Sequence, residues 1–507
     1  MKTIGRLAAV LLIFSVLSAC QGGSSGGAER EGSDISIAIS QTIPALDPQG
    51  SNDEVNALVS FGNVAEGLVA MSGDSDEVLP VLATKWEQVN PTTLRFSLRE
   101  GVKFQNGEVF DAAAVEYSVK RMLTQQGPGN FAHYYAALAE DPVKIIDDHT
   151  VDIMTSAPAP TLLRNLTFLM IVPPKAAADA TAFASKPVGT GPFALVKKTT
   201  DSVVLERNPS YWGDKPEASK VTLLSRPEAG SRVAALQAGE VDLAYDIPAA
   251  QSKSVPKYET TPGLETVLLR LDGRHGVTAD LRVRQAINLA IDVEQLRTSL
   301  VTDDASASAD GQIAAQGVFG HDDSLSAPTV DVDRAKALIK EAGATGKQLR
   351  LAVPQGRYSK GTDVCEAIVN ELRAIGLDAK LEVLEYQAWL DAAFEKDGVE
   401  ALFVGINADQ RDLAQSLSAV VTASSDLSRF PADEFADVQS MIVKSGSTTD
   451  SSQREQELFA LNKRITESAA FVPLYVPNIA WGAQEDISWD KRQDPRILLA
   501  TVKFGSK

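Results

Sequence analysis

In LRFSLREGVKF, residues 94–104, apolar and polar side chains alternate. Leu94, Phe96 and Leu98 fall on one face and Arg95, Ser97 and Arg99 on the other, which is the period of a strand with one buried side. Gly101 and the pair Asn106 and Gly107 mark turns after it. The period then changes. In DAAAVEYSVKRML the apolar positions Val115, Val119 and Met122 recur every three or four residues, a helical stripe. Asp111 stands where the helix needs an N-cap, and Lys120 and Arg121 lie near the negative end of its dipole. The same grammar recurs in DLRVRQAINLAIDVEQL, where Asp280 caps one helix and Asp292 with Gln295 begins the next. It recurs again in DRAKALIKEAG and in DVCEAIVNELRAIG, whose stripe Cys365, Ile368, Leu372 and Ile375 predicts a helix closed by Gly376. Strands and helices alternate along the whole chain, which predicts an α/β protein.

ALFVGINADQRDLAQSL, residues 401–417, raises a question of chemistry. It starts as an apolar, strand-like run and then sets two aspartates in one loop. Asp412, followed by Gln415 and Leu417, reads as the N-cap of a helix with a variant capping box. Asp409 comes too early to serve that helix. It is either exposed, paired with Arg411, or aimed at a partner outside the chain.

The chain of 507 residues carries 48 basic and 67 acidic side chains, a net charge of −19. That surface repels nucleic acid and anionic lipid, so neither is an expected partner. The opening MKTIGRLAAVLLIFSVLSAC has Lys2 and Arg6 ahead of an apolar run from Leu7 to Val16. The run is about half of the roughly 20 residues a membrane span needs, which predicts a secretory signal peptide over residues 1–19. Leu17, Ser18, Ala19 and Cys20 resemble the lipobox of bacterial lipoproteins. That implies that Cys20 is acylated and becomes the mature N-terminus, anchoring an extracytoplasmic protein to the cell membrane. The following QGGSSGGAEREGS predicts a flexible tether over residues 20–33. With Cys20 lipidated, Cys365 is the sole remaining thiol. The folded part then has no internal disulfide and relies on its apolar core.

Six fragments carry a family resemblance in sequence order: the stretch LRFSLREGVKFQNGEVFDAAAVEYSVKR, then PVGTGPFAL, LERNPSYWG, ALQAGEVDLA, LRVRQAINLAID and FVPLY. Together they resemble the signatures of the family 5 extracellular solute-binding proteins, the dipeptide, oligopeptide and nickel receptors of ABC importers. The resemblance runs from about Ile35 to the C-terminus. It implies a two-lobed, class II periplasmic-binding-protein-like α/β fold with an extra subdomain and a ligand cleft between the lobes. Lobe I is expected from residues 34–63, 187–270 and 478–507, its extra subdomain from 64–186, and lobe II from 271–477. Gly189 and Gly191 suit a sharp turn where lobes meet, and Tyr211 with Trp212 reads as core packing.

In peptide-binding members of that family, a loop aspartate receives the α-ammonium group of the ligand, in surroundings like G-W-x-x-D-x-x-D-P. Gly405, Asp409 and Asp412 match, whereas Ile406 stands for the tryptophan and Leu413 for the proline. The resemblance thus implies a ligand role for Asp409. Asn407 and Arg411 share its loop and are candidate polar contacts, Arg411 toward a carboxylate. Tyr134, beside Tyr135, is a candidate aromatic wall, and Trp389 reads as core. The expected function is that of a monomeric, non-enzymatic binder that captures a short peptide and hands it to an ABC permease, without a cofactor. A metal complex or an oligosaccharide is the alternative solute. His133, His149, His275 and His321 are scattered with no i, i+3 or i, i+4 pair, so no direct protein metal site is expected. A secreted hydrolase is the rival from another class. Gly22, Ser24 and Gly26 imitate a nucleophile elbow only within the tether, and GATGKQ fails the P-loop pattern at Gln348.

Overall fold

The structure, a computed structural model, describes residues 33–50, 54–124, 131–394, 398–422, 428–431 and 434–505. The leader, Cys20 and most of the tether lie outside the described residues.

A twelve-stranded mixed sheet runs through the molecule, and its two halves form the two lobes. One half orders the strands Leu243–Tyr245, Asp34–Ile39, Lys220–Ser225, Ser202–Arg207 and Phe193–Lys198. Its core gathers Ile35, Ile37, Phe193, Leu205, Val221 and Leu223. The other half orders Asp378–Leu384, Gln348–Pro354, Ala401–Asn407 and Glu265–Leu271. Between them lies the long strand Phe471–Ala483. Its first part pairs with Glu265–Leu271 and its last part with Leu243–Tyr245 and Lys257–Pro262. The chain crosses beside it at Gly263, whose N–H donates to the Pro477 carbonyl at 2.9 Å. A Cβ at Gly263 would sit 2.9 Å from that same oxygen, so the crossing needs glycine. Glu265–Leu271 is hydrogen-bonded to the strands of the second half, Ala401–Asn407 and the first part of Phe471–Ala483.

Local sequence explains the elements. Asp111 accepts from the Ala114 N–H at 3.0 Å and starts the helix Ala112–Thr124, whose Val115, Val119 and Met122 are buried. That helix packs on a separate four-stranded antiparallel sheet built from Ala83–Asn90, Thr93–Leu98, Leu138–Asp147 and Thr150–Thr155. Leu94, Phe96 and Leu98 face the core there, as the alternation predicts. Asp280 caps Leu281–Ala290 and Asp292 caps the next turn. Cys365 is fully buried in the helix Gly361–Ala374, and burial pushes its thiol far up, so it packs as a small apolar group.

Two family-like fragments meet at a carboxylate. Gly189 and Gly191 approach residues 63–65 so closely that a Cβ at either would lie 2.2 or 2.4 Å from a carbonyl oxygen. Between them Thr190 donates to buried Glu66 at 2.7 Å, and Tyr211 Oη and Trp212 Nε1 donate to it at 2.8 Å each. Tyr211 and Trp212 are therefore polar clamps as well as packing. Burial pushes Glu66 above the usual carboxylate range, against the pull of these three donors.

Candidate functional site

Three parallel strands of the second lobe, Gln348–Pro354, Asp378–Leu384 and Ala401–Asn407, end at one face. Loops beyond the carboxyl ends of parallel strands are where α/β folds collect ligands. The first strand leads to Arg357 and Tyr358, the second to Tyr386 and Trp389, the third to Asn407 and Asp409. All six line a cavity of about 580 Å³, within the range of small-molecule sites. His133 and Tyr134 close it from the first lobe, on the short helix Ala132–Tyr135. The cavity thus lies between the lobes.

Asp409 is exposed toward this cavity, yet protein surrounds it on most sides. That enclosure pushes its carboxyl above the ordinary value, while Arg496 pulls it back, Asp494 raises it again and Asn407 donates a hydrogen bond to it. Among the described residues no cation forms an ion pair with it. The Tyr134 phenol is pushed well up, first by burial and then by the Asp409 charge, so the two residues face each other across the cavity. The nearby Asp494 is different. Burial works against its carboxylate, but Arg492 and Arg496, both at 2.7 Å, outweigh this and hold it far below the usual range.

The opposite wall is a linked set. Arg357 Nε donates to Tyr358 Oη at 3.1 Å, and Tyr358 Oη accepts from the Gly405 N–H at 2.7 Å. Glu265 lies over Gly405 so tightly that a Cβ there would meet its Oε1 at 1.9 Å, and its carboxylate is 3.9 Å from the Arg357 guanidinium. Tyr386 and Trp389 stack at 5.8 Å. Trp389 is both core, at 5% exposed, and cavity wall.

Of the residues singled out from the sequence, Asp409, Asn407 and Tyr134 come together at the cavity. Arg411 does not. Its backbone adopts φ of +50°, which turns the side chain away into a buried position. There it donates to the Gly73 carbonyl at 3.1 Å, to the Ser75 carbonyl, and to Gln493 Oε1 at 3.2 Å. These acceptors lie across the lobe boundary, so Arg411 bridges the lobes at the edge of the cleft. Burial pushes its guanidinium down to about 10. Asp412 caps the helix Leu413–Val421, accepting from the Gln415 N–H at 3.3 Å, and also holds Arg454 in a buried two-bond pair at 2.6 and 3.0 Å. Arg357 and Tyr358 escaped the sequence reading. The available signal was their place just after the largely apolar run Leu349 to Val353, which forms the strand Gln348–Pro354.

Two α/β lobes that enclose a cavity lined from strand ends have the architecture of a solute-binding protein. Residues 77–427 match the profile of the bacterial extracellular solute-binding proteins, family 5 middle, and the chain belongs to that family. It is 29% identical over 406 residues to the dipeptide-binding protein of Escherichia coli K12, covering 73% of this chain and 74% of that one. It is 30% identical over 368 residues to the nickel-binding periplasmic protein of the same organism, covering 64% and 67%. The ABC transporter substrate-binding protein CtaP of Listeria monocytogenes shares the fold, with a TM-score of 0.83 at 17% identity over 94% of this chain and 100% of that one. The relatives are binding proteins rather than enzymes.

Proposed function

We propose that the protein captures short peptides in the inter-lobe cavity and delivers them to an ABC permease, with no chemistry of its own. The observation that carries this is Asp409, a carboxylate enclosed between the lobes that forms no ion pair among the described residues and feels Arg496 only at longer range. An enclosed anion must be neutralised or it opposes enclosure. At about 4 Å and an effective dielectric near 20, an ammonium group contributes roughly 4 kcal/mol before desolvation is subtracted. Asn407 orients Asp409, Arg357 supplies a cation for the peptide carboxylate, and Tyr134, Tyr386 and Trp389 supply apolar walls. The dipeptide-binding relative supports the same solute class.

In this reading Cys20 carries a lipid that holds the monomer outside the cell membrane, and the tether lets it reach the permease. Residues 34–63, 187–270 and 478–507 make lobe I, 64–186 extend it, and 271–477 make lobe II together with the strand Glu265–Leu271. Calorimetry of Asp409→Asn with a dipeptide tests the reading. The amide keeps the shape and removes the charge, and affinity is expected to fall about 10- to 100-fold, equivalent to roughly 1.4–2.8 kcal/mol. An unchanged affinity would remove Asp409 from the site and the reading with it.

A further inference from the structure

Arg357 and Tyr358 line two spaces at once. Behind them the cleft continues into a second compartment of about 470 Å³, walled by Ser40, Asp246, Glu265 and Tyr475. Its charged lining consists of Asp246, Glu265 and Arg357. Asp246 rests on Arg232 at 3.1 Å, but its own side chain remains 61% exposed. Arg232, by contrast, is buried behind it and donates also to the carbonyls of Arg226, Pro227 and Asp246. Among the described residues the one cation paired with Glu265 is Arg357, at 3.9 Å, and the Tyr358 hydroxyl adds a hydrogen bond to it. Burial and, further on, the charge of Asp409 push its carboxyl upward, with Arg357 opposing. One neutral group also belongs here. Tyr475 is 3% exposed, and its hydroxyl has no hydrogen-bond partner among the described residues.

A zwitterionic peptide changes this balance, because its ammonium neutralises Asp409 while its carboxylate takes Arg357. Glu265 then shares Arg357 with a second anion, and an enclosed carboxylate in that state is costly unless another positive group arrives. We propose that the compartment walled by Glu265, Asp246 and Tyr475 is a subsite for a cationic side chain, so that the protein prefers short peptides whose carboxyl-terminal residue is basic. This rests on the reading of the first cavity as a peptide site. Glu265 sets the preference by charge, Asp246 adds to it from the far wall, and the Tyr475 hydroxyl accepts a hydrogen bond from the incoming ammonium or guanidinium.

Calorimetric titration of the purified protein with Ala-Ala, Ala-Lys and Ala-Glu tests it. Ala-Lys is expected to bind at least tenfold tighter than Ala-Ala, and Ala-Glu more weakly than either. In Glu265→Gln the ratio of Ala-Lys to Ala-Ala affinity is expected to fall to threefold or less. Asp246→Asn should lower the ratio by a smaller factor, and its left-handed backbone, at φ of +57°, is one that asparagine tolerates. Equal binding of Ala-Lys and Ala-Ala, or a ratio unmoved in both variants, overturns the basic-side-chain preference and leaves the peptide reading standing. Failure of all three peptides to bind overturns both.

Discussion

Arg411 offers the sharpest test of how the lobes are held together over a solute. Its three hydrogen bonds run to Gly73, Ser75 and Gln493, and bonds from a charged donor carry about 1.5–3 kcal/mol each. Against them stands dehydration. Burial pushes the guanidinium down to about 10, which shows that dehydration offsets part of the gain from those bonds. In a separated arrangement the same group would be rehydrated, so only part of that gain survives as closure free energy, about 1–3 kcal/mol if it falls in the usual range for coupling between sites, or about 5- to 150-fold in affinity. Arg411→Met keeps the aliphatic stem and the same left-handed backbone cost while removing every donor. The expected result by calorimetry and stopped-flow is a 5- to 150-fold weaker dipeptide affinity, chiefly from faster release, because only the closed population is destabilised. The thermal unfolding of the solute-free protein should move little. An unchanged affinity in a folded variant would refute the latch. A large loss of solute-free stability would instead make Arg411 a structural strut of one state.

Glu371 provides a pH signature. Burial is the main force pushing its carboxyl up to about 7, with the Asp292 charge adding to it, and one of its oxygens is buried without a partner among the described residues. A carboxyl with a raised folded value favours the protonated folded form, so its contribution is complete below about pH 4.5 and is lost as pH rises toward 7. Glu371→Gln should therefore flatten the stability profile between pH 5 and 8 and exceed the parent at pH 8 by about 1–2 kcal/mol after solvent screening; parallel profiles would contradict the assignment. Glu66→Ala strands the hydroxyls of Thr190 and Tyr211 and the indole N–H of Trp212. Denaturant unfolding should report a loss of about 3–5 kcal/mol, and a loss below about 1 kcal/mol would show that water replaces the carboxylate.

What could be read from the sequence follows the range of the interactions. Asp111, Asp280, Asp292 and Asp412 were legible as helix caps because donor and acceptor lie within a few residues. Cys365 was legible as core because helical periodicity alone puts it on the stripe with Ile368 and Leu372. Asp409 stood out by failing to fit that local grammar. The rest of the site depends on contacts between distant segments. Tyr358 meets Gly405 across 47 residues, and Tyr211 meets Glu66 across 145. Nothing in either segment announces the other. Arg411 misled for a different reason: its place two positions after Asp409 suggested a shared role, and a single positive φ sends it to the opposite lobe. Trp389 satisfied the core expectation and also walls the cavity, since one face of a large ring packs while the other meets solvent.

The central claim is that Asp409 receives the ammonium group of a peptide. Calorimetric titration of the same preparation with Ala-Ala and with N-acetyl-Ala-Ala addresses it most directly, because acetylation removes the positive charge and leaves the rest of the ligand intact. The account predicts that the acetylated peptide binds at least about 100-fold more weakly, the equivalent of roughly 2.8 kcal/mol. Equal affinity for the two would contradict it.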